Sequence, residues 1–341
     1  TVKFKICQRK SAMKENSKIF FAPEYITAKN KFSAYYAENI LPVLHRIEQR
    51  RKKYLCIFLL LCCFVASWLG YVFFRLQSGL TAVSGTVAEE NGVYGAIGCL
   101  LVLFACWPMF SYYKYGKENL LPLLAHFFGE FSYSFCPELP ETLLDRSQLF
   151  KGYDKITGDD GFNGVYDGIA VNIAEYSASR LRHQRDSRSG RIRNVYVPAG
   201  RGIIFYAQMN KNFAGQTIVV KDKGLFNKLT RYKNLERAGL ESPEFEKVFE
   251  VYTDNQVEAR YILTTVMLEY MIELRQSFPK IEFSFFSSHV LVKIETLKNM
   301  FECSSFFRSA INRRRIEESF TELYLLFSII TTLRLNQNRM L

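Results

Sequence analysis

Residues 54–74, YLCIFLLLCCFVASWLGYVFF, and residues 93–113, VYGAIGCLLVLFACWPMFSYY, are two 21-residue runs without a single Asp, Glu, Lys or Arg, and eighteen residues separate them. A helix needs about twenty apolar residues to cross a bilayer, where lipid offers backbone amides no partner and the helix must satisfy its own. The pair predicts a transmembrane hairpin. Two buried helices of a soluble core are the competing reading, and uncharged soluble helices of this length are rare. The segment between the runs, 75–92, is rich in Gly, Ser and Thr and too short for a domain, so it predicts an external or periplasmic loop.

Flanking charge predicts the orientation. Arg46, Arg50, Arg51, Lys52 and Lys53 precede the first run and Lys114 and Lys117 follow the second, whereas the loop offers Arg75 against Glu89 and Glu90. By the positive-inside rule both termini face the cytoplasm, and these seven basic residues become the candidate contacts to membrane lipids. Residues 1–53 hold thirteen Lys or Arg against four Glu, so most of the net charge of +12 lies in this flank. No nucleic-acid partner is expected, because no nucleic-acid fold motif accompanies the charge. An organiser of anionic lipid is the alternative that the basic segment keeps open. The eight cysteines include no CxxC pair and no nearby His at ligand spacing, which predicts reduced thiols.

Composition sets the remaining boundaries. Residues 1–28 read as a basic N-terminal arm. Residues 29–53 place Phe32, Tyr35, Tyr36, Ile40, Leu44 and Ile47 at helical spacing and predict a juxtamembrane helix kinked at Pro42. Residues 114–341 are long enough for a core of their own. The expected fold class is α+β: a two-helix transmembrane hairpin, flanking juxtamembrane helices, and a cytoplasmic domain of antiparallel sheet plus helices. Within that domain 164–178, 193–210 and 216–222 read as strands, and the Arg-rich stretch 179–190 as a solvated loop or a contact with headgroups or an acidic partner. Ser242-Pro243-Glu244 starts a helix, and Thr253 with Gln256 has the spacing of a capping box opening a long helix to Gln276. A hairpin turns at Ser287-Ser288, and 311–336 form an amphipathic terminal helix. Glu38–Leu44 (ENILPVL) and Glu118–Leu124 (ENLLPLL) echo one another eighty residues apart, either as paired interfacial helices or by coincidence in a Leu-rich chain.

Motifs that carry chemistry are sparse. Asp154, Asp159, Asp160 and Asp167 cluster among Gly158, Gly161 and Gly164, and clustered carboxylates suit a hard cation, so Asp159 and Asp160 are the weak metal candidates. The cluster lacks the alternating ligands of an EF-hand, and Asp-Gly stretches mostly make turns, so no metal is assigned. No catalytic residue is assigned either: the four His are scattered, no Ser occupies a nucleophile elbow, and no cofactor motif is present. The expectation is a protein that is not an enzyme and takes no cofactor. The runs contain no ionisable Asp, Glu, Lys or Arg to mark a transport path, while Ala66, Ser67, Gly70, Gly95 and Gly98 permit close helix packing within or between chains.

Four further runs carry a resemblance: Tyr153–Asp160 (YDKITGDD), Phe213–Thr217 (FAGQT), Ser242–Lys247 (SPEFEK) and Tyr252–Thr264 (YTDNQVEARYILT). In this order the chain resembles the bacterial membrane family catalogued as domain of unknown function 3137, from the N-terminal helices to Phe301-Glu302. The resemblance implies a multi-pass protein of the bacterial inner (plasma) membrane with a large cytoplasmic domain and no established activity. It also implies another membrane protein, such as one of LemA type, as partner, while Gly95-Ala96-Ile97-Gly98 keeps a homo-oligomer in play. The most family-like run, 242–264, supplies the candidate partner-binding residues Tyr252, Asp254, Gln256, Glu258 and Arg260. The functional expectation is a binding or scaffold domain held at a membrane, with a metal-dependent enzyme around Asp159 and Asp160 as the alternative.

Overall fold

A computed structural model describes residues 23–77, 87–185, 192–222, 232–296, 298–333 and 335, and the elements below are those among the described residues. The chain divides into two compact units: residues 34–123 with 302–317, and residues 1–33 with 124–301 and 318–341.

Helix α1 (Pro23–Tyr35) begins on a proline, whose missing N–H would have no partner in a first turn anyway. It therefore starts before the predicted residue 29, inside the expected arm, of which residues 1–22 lie outside the described residues. Through a π-helical turn (Tyr36–Ile40) it continues into α2 (Leu41–Gln77). The kink expected at Pro42 takes this form. The ring crowds the carbonyl four residues back and offers it no N–H, and the backbone widens so that Leu41 N–H reaches Tyr36 O. Helix α3 (Val87–His126) is unbroken despite Pro108 and Pro122. Residues 75–77 and 87–92 of the predicted loop are thus helical, and 78–86 lie outside the described residues.

Both α2 and α3 are long and apolar enough to cross a membrane. Their apolar side chains point outward: Leu60, Phe64, Phe74, Leu103 and Phe104 are between 58% and 70% exposed, the inverse of a soluble core helix. The two helices meet through Trp68 and Tyr94, ring centres 5.9 Å apart, with Arg75 donating to the Tyr94 hydroxyl. Gly70 and Gly95 face open space, whereas a Cβ on Gly98 would lie 3.9 Å from Trp68 Nε1 of the other helix.

The echoed segments share more than letters. Asn39 Nδ2 donates to Tyr35 O at 3.4 Å and Asn119 Nδ2 to Tyr115 O at 2.8 Å, an identical back-bond one turn before each proline. The Tyr35 hydroxyl donates to Leu123 O at 3.0 Å, joining the turn before one copy to the end of the other. Residues 302–317 complete this unit: Arg51 donates to Phe306 O at 3.0 Å, Ala310 N–H to Glu48 Oε2 at 2.8 Å, and Lys117 pairs with Glu302 at 3.0 Å. The doubly bonded Arg51 guanidinium holds the Glu48 carboxyl below the usual carboxylate range.

The other unit is built on a nine-stranded antiparallel sheet, formed by β1 (Phe131–Ser134), β2 (Lys155–Tyr166), β3 (Ile169–Arg185), β4 (Ile192–Gln208), β5 (Gln216–Lys221), β6 (Glu236–Ala238), β7 (Phe249–Thr253), β8 (Ile281–Phe286) and β9 (His289–Glu295). Their spatial order is β1-β2-β3-β4-β9-β8-β5-β7-β6. Register lines up one residue from every strand: Tyr133, Phe162, Ile173, Phe205, Val292, Phe283, Val219, Val251 and Ala238. Cross-strand partners share a face, so this row, buried from Phe162 onward, is the spine of one core. On the opposite face α4 (Glu141–Ser147) and the segment after it pack Leu144, Leu149 and Phe150 against Tyr176, Ile204 and Leu291. Buried Lys293 lies there too, paired with Glu282 at 3.3 Å and Glu295 at 3.1 Å; these carboxylates raise its pKa against the burial that lowers it.

Several predicted boundaries move. The run 164–178 is a hairpin rather than one strand, because Asp167 (φ 49°) and Gly168 (φ 78°) form its turn. Strand β3 continues through Arg185 into the expected Arg-rich loop, whose residues 186–190 lie outside the described residues. Ser242 caps α5 (Pro243–Glu246) as expected. The long helix is two helices, α6 (Gln256–Ile262) and α7 (Thr265–Ser277), since Thr264 leaves the helix and caps the second through Met267 N–H. The last helix, α8 (Arg313–Thr332), sets Phe320 and Phe327 among Phe32, Phe127, Phe128 and Tyr166.

Candidate functional site

Strands β5 and β7 are antiparallel neighbours, so the start of one lies beside the end of the other, and two of the family-like runs meet there. Asp254 Oδ1 accepts Gln216 N–H at 2.8 Å, while Glu258 accepts Gly215 N–H at 2.7 Å and Ala214 N–H at 3.4 Å. A Cβ on Gly215 would stand 2.6 Å from Asp254 Oδ1 and 2.7 Å from Glu258 Oε2, so any side chain there would have to push the two carboxylates off their bonds. The helix cap is Asn255, not Thr253: its side chain accepts Val257 N–H and Glu258 N–H, each at 3.1 Å. Thr253 instead bonds across the sheet to Thr217 at 3.0 Å.

The five predicted partner-binding residues are therefore brought together, but their polar groups largely build the corner. Gln256 donates to Arg237 O at 3.4 Å, and Arg260 donates to Gln256 O at 3.1 Å. Tyr252 packs on the Tyr232 ring at 4.8 Å and donates to Glu250 at 2.7 Å; burial and that carboxylate push its pKa up to about 12. Helical spacing sets Val257 and Tyr261 in one stripe with Leu268 and Met271 and predicts them buried, but they form the outward face of α6 instead. Val257 is 77% exposed and Tyr261, one turn on, 46%. Lys211 frames them, donating to Tyr261 O at 2.9 Å with its ammonium 4.9 Å from the ring centre.

A second constellation gathers on the spine face. Asp159 and Asp160 are joined by Glu175, which the sequence reading did not include, with one carboxylate oxygen from each lying within 4.8 Å of the others. A β-bulge between Asp159 and Gly161 makes this possible by inserting Asp160 as an extra residue. Tyr133 donates to Asp160 at 2.5 Å, and Asp159 Oδ1 accepts Asp160 N–H at 3.0 Å. Fully buried Glu175 accepts Met300 N–H at 3.4 Å and lies 3.7 Å from Arg201, while its Oε2 has no hydrogen-bond partner among the described residues. Burial, with Asp159 and Asp160 adding to it, raises its pKa to about 8. Asp154 and Asp167 stay outside the group: Asp154 accepts Leu181 N–H, and Asp167 is a turn residue.

The glycine triplet serves close approach rather than phosphate. A Cβ at Gly158 or Gly161 would strike Pro137, and one at Gly164 would strike Glu130 O, so Pro137 crosses over β2 just beyond the strand β1 that pairs beside it. Beside that crossing opens a cleft of about 430 Å³, lined by Ser132, Leu143, Asn163, Asn172 and Tyr206 among others. Of the seven basic residues expected at headgroups, Arg46, Arg50, Lys52, Lys53 and Lys114 are exposed. Arg51 and Lys117 are not; their side chains, 11% and 7% exposed, are consumed by Glu48 and Glu302.

No curated protein matches the chain. Among solved structures it is similar to the crystal structure of the mycobacterial trehalose monomycolate transport factor A, TtfA, with 14% identity, a TM-score of 0.34, and coverage of 64% of this chain and 95% of that one. Residues 201–335, which include the Gly215 corner and α5 to α8, match the family described as "Protein of unknown function (DUF3137)", and the chain carries that domain.

Proposed function

We propose that the chain is an inner-membrane protein that crosses the bilayer twice through α2 and α3, keeps both termini in the cytoplasm, and presents its sheet unit as a binding or scaffold module within a membrane complex or homo-oligomer. The observation that carries the binding role is the Val257–Tyr261 face of α6. Two apolar side chains stand exposed one turn apart on a short helix whose position is fixed by five or more internal hydrogen bonds beneath it. Such a rigid, partly apolar knob is what a partner groove reads. Val257→Asp with Tyr261→Ala should abolish recovery of cross-linked partners from native membranes and leave the thermal midpoint of the detergent-solubilised protein unchanged. Undiminished recovery would place binding elsewhere.

A second reading, a site for a hard divalent cation, is favoured by the third carboxylate at Asp159 and Asp160. Three carboxylates with one orphaned oxygen are oxygen ligands suited to Mg²⁺, Mn²⁺ or Ca²⁺, and a cation would take the place of the proton that Glu175 otherwise retains. Elemental analysis of the purified protein and a thermal shift with each ion, lost in Asp160→Asn, is the test. Purified protein free of metal and unmoved by all three ions removes this reading.

A further inference from the structure

We infer that the loop at Phe306-Phe307 is a third membrane-contacting element, which lays the Phe307 ring into the bilayer interface beside the base of α2; this rests on the reading of α2 as a membrane span. Phe306 is buried, its ring 5.6 Å from Phe58 on α2 and 5.6 Å from Tyr112 on α3. Phe307 is 64% exposed, its ring 6.0 Å from the same Phe58. Phe58 lies five residues beyond Lys53, the last charged residue before the apolar run, so at 1.5 Å per residue it sits about 7 Å along the run. That is the depth at which interfacial aromatic residues settle. An exposed phenylalanine at that level meets lipid, not water.

The loop is held rather than left to fluctuate. Phe306 O accepts from Arg51, Phe306 N–H donates to the Tyr113 hydroxyl at 3.4 Å, and Ala310 N–H donates to Glu48. Charge is arranged to match: exposed Arg308 follows the ring directly, and exposed Lys52 and Lys53 precede the run, where cations meet headgroups. Neither the span pattern nor the family-like runs mark this segment, because its apolar content is two residues.

The test places the full chain in nanodiscs, with Phe307→Trp, Trp68→Phe and Trp107→Phe making residue 307 the sole reporter, and a second form with Trp68→Phe alone leaving Trp107 as the span reference. Tryptophan at 307 should be quenched by phospholipid spin-labelled near the headgroup end of the acyl chain and be shielded from aqueous iodide. Iodide quenching without lipid quenching overturns the inference while leaving the spans intact. Absence of lipid quenching at Trp107 overturns the span reading and this one with it. A photoactivatable phospholipid gives a check on the unsubstituted chain: peptide 303–310 should be labelled together with the span peptides, and labelling of the spans alone would sink the proposal.

Discussion

Glu175 stands where strand alternation reserves an apolar side chain: Val171 and Ile173 precede it on the same face, and all three are buried. Its retained proton has a consequence for stability. Below about pH 4.5 the carboxyl is protonated in folded and unfolded chains alike. Between there and about pH 8 the unfolded chain releases the proton while the folded one keeps it, so folding is progressively disfavoured, by about 1.4 kcal/mol per pH unit at most, and the loss levels off above pH 8. Urea unfolding in detergent should show Glu175→Gln gaining a few kcal/mol relative to the parent between pH 5 and pH 8; a gap that does not widen with pH would contradict the buried neutral acid. The misplaced acid itself was legible from the alternation of 171, 173 and 175. Its meeting with Asp159 was not, because pairing of β2 with β3 and the bulge at Asp160 are non-local facts.

At the scale of elements, the turns explain where sequence reasoning succeeded and where it slipped. Ser287-Ser288 was read as a turn because alternating strands flank it cleanly, and both residues have positive φ. Asp167-Gly168, a stronger hairpin signal, sits inside a run whose composition reads as one strand, and Gly158 to Gly164 carry turn composition although they lie within β2. Local pattern could not distinguish a glycine that bends the chain from one that lets Pro137 pass over it. The cap of α6 slipped for a similar reason: Thr253 and Gln256 have the right spacing, yet Asn255 makes the bonds. Asn255→Ala should therefore cost about 1 kcal/mol in unfolding free energy. A chemical denaturation midpoint insensitive to that change would return the cap to Thr253.

For the whole molecule, the two long apolar helices were legible at once because lipid imposes a length and a composition that soluble folds rarely meet. Alkaline carbonate should leave the chain in the membrane pellet, and a maleimide probe impermeant to the bilayer should label a cysteine placed at residue 82 but not one at residue 260. Equal labelling would reverse or abolish the proposed orientation. The return of residues 302–317 to the bases of those helices was not legible, since nothing short-range links Ala310 to Glu48, 262 residues earlier. That separation also sets an order in time. At roughly 5 to 20 residues per second, the chain adds the 193 residues between Tyr113 and Phe306 over some tens of seconds after the second apolar helix has left the ribosome. During that interval Glu48 and Arg51 have only each other, and the base of the helix pair is sealed only once residues 302–317 have been made.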